Sequence, residues 1–437
     1  MLGIRPEQAP QPSTTWIGPA PWLETQIPGP LARRALAKRS SHSLVGKALE
    51  QPLVVQRALG SVVEDIDGNR FLDLAAGQCV SPAGHCHPKI IGSMNEQANN
   101  AVMVCRENVY YPVTTETLQK TSAICSSPRE NDVLLTEGTT ATVALAWSLA
   151  KITTGRQRVV AIQAGVSQQI SHVASKFRLA ASTTPDLSTE HVGQVSLAAD
   201  EPLEKCLFDM DIDPKETCAV ILQVFQGDEG YILDDREMQR QIRDFCDQYN
   251  IPLIVDETET CLGRTGKWFA FEHFDIAPDM IMMSHGSVGG TPLGALIARK
   301  AQLDAKQLTG LIEESACPIS CATALATMDV IENGLMDNAN TLANRFQNQL
   351  REFAASSRIL TRPRGLGVIG SLDVVNPRNG ALDSGRRDRI VRHAFERGVM
   401  VKACGEVGIR IAPPLCINKT QLDVGLTLLR ESIEAAT

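Results

Sequence analysis

The 437 residues are 43% hydrophobic and 21% charged with a formal net charge of −8, an ordinary globular balance that excludes a disordered chain and gives length for two or three domains. A negative chain with no basic face implied argues against nucleic acid or anionic membrane as a partner, and no stretch reaches the ~18 consecutive apolar residues of a membrane span. Twelve cysteines without CxxC spacing, and a start without the charged-then-apolar pattern of a secretory signal, predict reduced thiols in the core of a cytoplasmic protein.

Residues 1–30, rich in Pro, Ser, Thr and Gln, read as an extended arm or a flexible leader. PLARRALAKRS at 30–40 predicts a basic helix with a solvated face. Residues 53–74 predict short strands around the turn Asp67-Gly68-Asn69, a hairpin signal. Apolar runs at 132–136, 158–162, 218–224, 252–255, 280–283 and 293–298 then read as strands, with amphipathic helices such as 236–249 between several of them. Short apolar strands separated by helices predict an α/β fold with a mainly parallel sheet covered on both faces. One long helix over 319–355, strands at 368–374 and 408–411 and a helix at 419–434 close the chain. There is no internal repeat. The expected partition is an N-terminal arm and the start of a small domain over 1–59, a large domain over 60–325 and a C-terminal small domain over 326–437.

In an open α/β sheet, ligands bind at the carboxyl ends of strands. That points to IPLIVDE (251–257), where an apolar strand stops at Asp256. The chain continues as VDETETCLGRTGKWFAFE and later IAPDMIMMSHGSVGGTPLGALIA. These stretches resemble class III pyridoxal-phosphate aminotransferases, which read VDE-x-Q-T-G-x-GRTG and PD-x-x-x-x-SKG-x-GGG-x-PLGA there. PGPLARRAL, DGNRFLDLAAG, GHCHPKI, YYP, EGTTA and IRIAPPL have counterparts in the same order, so the resemblance covers nearly the whole chain from about residue 28. The closing IRIAPPLCINKTQLDVGLTLL, with Gln78 in AAGQ, is nearest the dialkylglycine decarboxylase branch; the opening half is as similar to 4-aminobutyrate aminotransferases. The resemblance implies the fold type I architecture, with a large, mostly parallel sheet domain and a smaller α+β domain from both termini. It also implies a homodimer with each pocket at the subunit interface, a small-molecule substrate, and pyridoxal phosphate as the family cofactor.

The same resemblance assigns roles position by position. Asp256 matches the aspartate that keeps the pyridinium nitrogen protonated and makes the ring an electron sink. The Schiff-base lysine position is His285, in SHG where the family has SKG. Imidazole has no primary amine to condense with an aldehyde, although it is a competent general base near neutral pH. Lys267 and Lys300 are the nearest lysines in sequence, the first at a position the family leaves exposed and the second beyond the strand. Val166, in AGVSQQ, stands where a ring-stacking aromatic is usual, with a loss of ~0.5–1.5 kcal/mol. Glu259 replaces a glutamine that donates to the cofactor's phenolic oxygen, and an ionised carboxylate repels that oxygen. In LIEESACP, Glu313 or Glu314 stands where the partner subunit lends a threonine to the phosphate, bringing like charge toward a dianion.

Glu137-Gly138-Thr139-Thr140 lies between a strand and a helix like the family's phosphate turn, so Gly138 and Thr139 are candidate anion ligands through backbone N–H groups. A plain capping turn is the alternative. Arg410 matches the arginine that clamps a substrate carboxylate, and Gln78 a substrate-facing position; a structural arginine and a polar core residue are the alternatives. His85 and His87 in GHCHP have no further ligands at metal spacing, and no metal is expected.

Substitutions gathered on one small site, with the surrounding motifs kept, point to a changed role. The reading is a repurposed enzyme that performs acid–base chemistry on a small carboxylate or amino-acid-derived metabolite without a Schiff base to the chain. His285 is then the base, Asp256 and Glu259 further acid–base groups, and Arg410 the carboxylate anchor. Three alternatives stay open: a non-catalytic partner subunit; a histidine-based enzyme holding pyridoxal or pyridoxamine phosphate non-covalently, as sugar 3-dehydratases of this fold do; and a conventional aminotransferase or decarboxylase rescued by another lysine.

Overall fold

The computed structural model describes residues 18–40, 51–104, 109–125, 130–162, 192–195, 204–206, 211–226, 232–233, 236–274, 276–284, 290–300 and 316–436. Helix α1 spans Pro30–Ser40, and β1 (Val55–Leu59), β2 (Val62–Asp65) and β3 (Arg70–Asp73) form an antiparallel meander around the Asp67-Gly68-Asn69 turn. Asp65 Oδ1 accepts the N–H groups of Asp67 and Asn69, and Gly68 takes a φ of +87° that a side chain would resist.

The turn has a second task. Asp67 accepts from the N–H groups of Leu31 at 2.8 Å and Ala32 at 2.7 Å, so it caps α1 from a distant part of the chain. Asn69 Oδ1 accepts from the N–H groups of Glu24 and Thr25. Residues 18–30 are therefore tied down by two turn side chains rather than hanging as a free arm. Replacing Asp67 by alanine is expected to cost about 1 kcal/mol locally. Tryptic cleavage at Arg33 and Arg34 should then speed up about fivefold, and unchanged cleavage would show that the cap holds nothing.

Among the described residues, the central sheet has seven strands: β4 (Asn131–Thr136), β5 (Arg158–Ile162), β6 (Val192–Val195), β7 (Thr217–Leu222), β10 (Leu253–Asp256), β11 (Met280–Ser284) and β12 (Gly294–Arg299). Their order is β4-β12-β11-β10-β7-β5-β6, and every pairing is parallel except those of β12, which runs against both neighbours. β7 stops at Leu222, two residues short of the run expected as a strand over 218–224, and a short ribbon, β8 (Phe225–Gln226) with β9 (Ile232–Leu233), follows it.

The two-residue period of a strand sorts side chains to opposite faces. On β7, Val220 and Leu222 enter the larger apolar core, while Ala219 and Ile221 enter a second one with Val143, Trp147 and Ala150 of α4 (Thr139–Thr154). A sheet buried on both faces needs the continuous apolar strands seen in the sequence.

After the sheet, the helix expected over 319–355 is two. Pro318–Val330 and Met336–Ser356 are joined across a kink at Ile331–Leu335, where Gly334 has φ +141°. The apolar period runs through the kink, and only Asn333-Gly334 marked it in advance. A four-stranded sheet, β13 (Leu360–Leu366), β14 (Ile369–Val374), β16 (Lys402–Cys404) and β17 (Gly408–Ile411), follows in the order β13-β14-β17-β16. Between them in sequence, β15 (Val399–Met400) pairs parallel with β3, joining the C-terminal part to the N-terminal meander. No described helix is long and apolar enough to cross a membrane.

Candidate active site

β10 lies between β7 and β11, both parallel to it, so its carboxyl end opens on the side of the sheet where loops gather. Asp256 sits there with no exposed surface, and its Oδ1 accepts the N–H of Thr258 at 2.9 Å. Glu257 is equally buried. Its carboxylate accepts the N–H of Phe271 at 2.8 Å and the hydroxyl of Thr260. Burial pushes the Glu257 carboxyl up to about 7, against the Thr260 and backbone donors that pull it down, and Asp256 adds a smaller upward push.

One strand over, β11 ends at Ser284, whose hydroxyl is 2.5 Å from that of Thr139 in the first turn of α4. Gly138 is the N-cap of that 16-residue helix, at φ +133°, and a side chain added there would meet only open space. The first turn holds no acidic residue. The N–H groups of the first turn, the positive end of the helix and two hydroxyls together suit an anion. Glu137, exposed, precedes them. Thr142 locks the turn by donating to Gly138 O at 3.0 Å.

Two residues from Glu257, Glu259 meets Arg410 of β17. Arg410 Nη1 is 2.9 Å from Glu259 Oε2, with side-chain exposures of 3% and 19%. The residue expected to hold a substrate carboxylate thus holds one of the chain's own, and the residue expected to touch the cofactor is drawn to it.

The loop after β3 closes on the same place. Ala412 N–H donates to Leu74 O at 2.7 Å, and Arg264 Nη2 donates to Cys79 O at 2.9 Å. Gln78 rides on this loop, exposed. Asp73 shapes it by accepting the N–H groups of Ala75 and Gly77, each at 2.8 Å, and by pairing with His85 Nε2 at 2.8 Å. His85 is accordingly a structural partner. His87 precedes helix Pro88–Asn100, and its pKa is lowered by burial and then by Lys89.

The structure brings together Asp256, Glu259 and Arg410, and it sets Gly138, Thr139 and Ser284 at the next strand end. His285, Val166, Glu313 and Glu314 lie outside the described residues. Lys267 is exposed and donates to Glu272 O, and Lys300 makes a surface contact with Glu130. Sequence reasoning missed Asp73, Glu257 and Arg264. Their only signals were membership in LDL, VDE and GRTG, which do not tell a structural residue from a working one.

For pyridoxal phosphate, the donor set matches at two ends. A buried carboxylate, Asp256, suits the ring nitrogen, and the α4 N-terminus with Thr139 and Ser284 suits the phosphate. The chain's residues 45–433 match the family model for class-III aminotransferases. The 5-aminovalerate aminotransferase of Pseudomonas putida is 28% identical over 87% of this chain and 93% of its own length. An acetylornithine aminotransferase of Methanosarcina acetivorans is 30% identical over 87% of this chain and 92% of its own. The solved structure of ornithine δ-aminotransferase from Plasmodium falciparum superposes with a TM-score of 0.77 at 21% identity, covering 93% of this chain and 98% of that one, which establishes the fold type I architecture and nothing finer.

Proposed function

The chain belongs to the class III aminotransferase family, and from that premise we propose that it is a member turned from transamination to proton-transfer chemistry on a small carboxylate or amino-acid-derived metabolite, with no lysine joining a cofactor to the chain. The observation that carries this reading is the Glu259–Arg410 ion pair beside Asp256.

A substrate carboxylate reaches Arg410 only by exchange with Glu259. The exchange keeps the buried guanidinium neutralised, so it avoids the cost of an uncompensated charge. It also releases the Glu259 carboxylate, so binding uncovers a group able to take a proton. His285, by its place in the sequence, supplies an imidazole that can hold or move a proton near neutral pH. Pyridoxal phosphate would be held by Asp256, Thr139, Ser284 and the N–H groups after Gly138, and when bound it supplies an electron sink. Lys267 and Lys300, both engaged at the surface, offer no substitute amine.

The test is borohydride reduction of the purified protein with equimolar pyridoxal phosphate, followed by peptide mass spectrometry. No lysine is expected to carry a stoichiometric pyridoxyl label. One fully labelled lysine overturns the reading. In His285→Lys, labelling of the new amine should stay incomplete while Glu259 is ionisable and become more complete when Glu259→Gln is added.

A further inference from the structure

Arg264 is among the largest side chains with no exposed surface, yet among the described residues it has little to hold. Nη2 donates to Cys79 O, while Nε and Nη1 have no acceptor among the described residues. Asp256, Glu257 and Arg264 all bear electrostatically on the same buried thiol, Cys261. A guanidinium removed from water without a partner is among the costlier features a fold can keep.

Its backbone, by contrast, is fixed. Arg264 O accepts the N–H of Val368 at 3.1 Å, and Gly367, at φ +61°, is a glycine because any side chain would strike this stretch. The carbonyl that the guanidinium does hold ends a run of four residues with positive φ: Ala76 at 48°, Gly77 at 60°, Gln78 at 63° and Cys79 at 70°. Three of the four carry side chains that resist this region. A strained segment thus lies over a cation with no counter-ion among the described residues, between the Asp256 loop and Gln78.

We propose that Arg264 is a second carboxylate-binding site, separate from Arg410, which receives the anionic group of a small ligand beneath the 75–79 loop as that loop shifts to admit it. Arg410 is already matched by Glu259, so among the described residues Arg264 is the buried guanidinium that a carboxylate can neutralise without displacing a side chain. The proposal stands apart from the question of the cofactor link, since it invokes neither Asp256 nor His285.

Acetate serves as the probe, titrated into the full-length protein at constant ionic strength while thermal unfolding is followed. The wild type is expected to gain stability saturably. Arg264→Met should unfold at a higher temperature than the wild type without acetate, because an unpartnered charge is gone, and its acetate affinity should fall by about tenfold or more. Arg264→Lys, which keeps the charge but loses the fork, should fold and bind acetate more weakly. Arg410→Met should still show a saturable acetate response, diminished at most by the part that the exchange with Glu259 supplies. The proposal is overturned if the wild type does not respond, if Arg264→Met is less stable or fails to fold, or if Arg410→Met alone abolishes the response. That last outcome would assign the carboxylate to Arg410 and leave the reading of the Glu259 exchange in place.

Discussion

Replacing Arg410 by methionine is expected to destabilise the protein by about 3 kcal/mol, because Glu259 is left ionised in a place built for a pair. Arg410 is 3% exposed and Glu259 19%, so solvent screens the pair little. Glu259→Gln should cost less, since the amide oxygen still accepts from the guanidinium. The double variant Arg410→Met with Glu259→Gln should recover most of the loss, giving a coupling of about 2 kcal/mol in a double-mutant cycle. Urea unfolding of the four proteins measures it. Additive costs would mean that the two side chains are neighbours without being a pair, and the exchange mechanism would lose its basis.

The second large effect is a pH dependence set by Glu257. Its carboxyl is raised from 4.5 to about 7, chiefly by burial. A raised carboxyl pKa means that the folded state prefers the neutral acid. Below the unfolded value of 4.5 there is no penalty; stability is lost as pH rises through 4.5 to about 7 and is level above that. At about 1.4 kcal/mol per pH unit, the loss is ~3 kcal/mol. Glu257→Gln cannot ionise, yet it retains an acceptor for the Phe271 N–H that Glu257 now receives. The stability difference between variant and wild type should therefore move by ~3 kcal/mol in the variant's favour between pH 4.5 and 8. Parallel stability curves would show that Glu257 ionises as freely in the folded protein as in the unfolded chain.

Local pattern carried much of this molecule. Continuous apolar runs specified β7, β10 and β11 because strands buried on both faces leave no polar position free. The Asp67-Gly68-Asn69 turn was legible because it is a property of a few consecutive residues, and Asp256 because an apolar strand ends on it. The ordered motifs gave the family, and the reading of His285 at the lysine position rests on the register of SHG against SKG.

What the sequence could not supply were encounters between residues far apart in the chain. Arg410 and Glu259 are 151 positions apart and read separately as an anchor and an acid–base group; only the approach of β17 to the Asp256 loop makes them one ion pair. Asp67 reads as a turn residue and becomes the cap of α1 only when residues 30–32 fold back on it. Arg264 reads as one letter of GRTG, and its burial follows from the closing of the 75–79 loop and the Gly367 turn over it, which leave it one acceptor, Cys79 O, among the described residues. Periodicity determines which face of an element is apolar. Which polar groups are then cut off from water, and with what partners, is set by how those faces are stacked, and that decides where charge is cheap or costly.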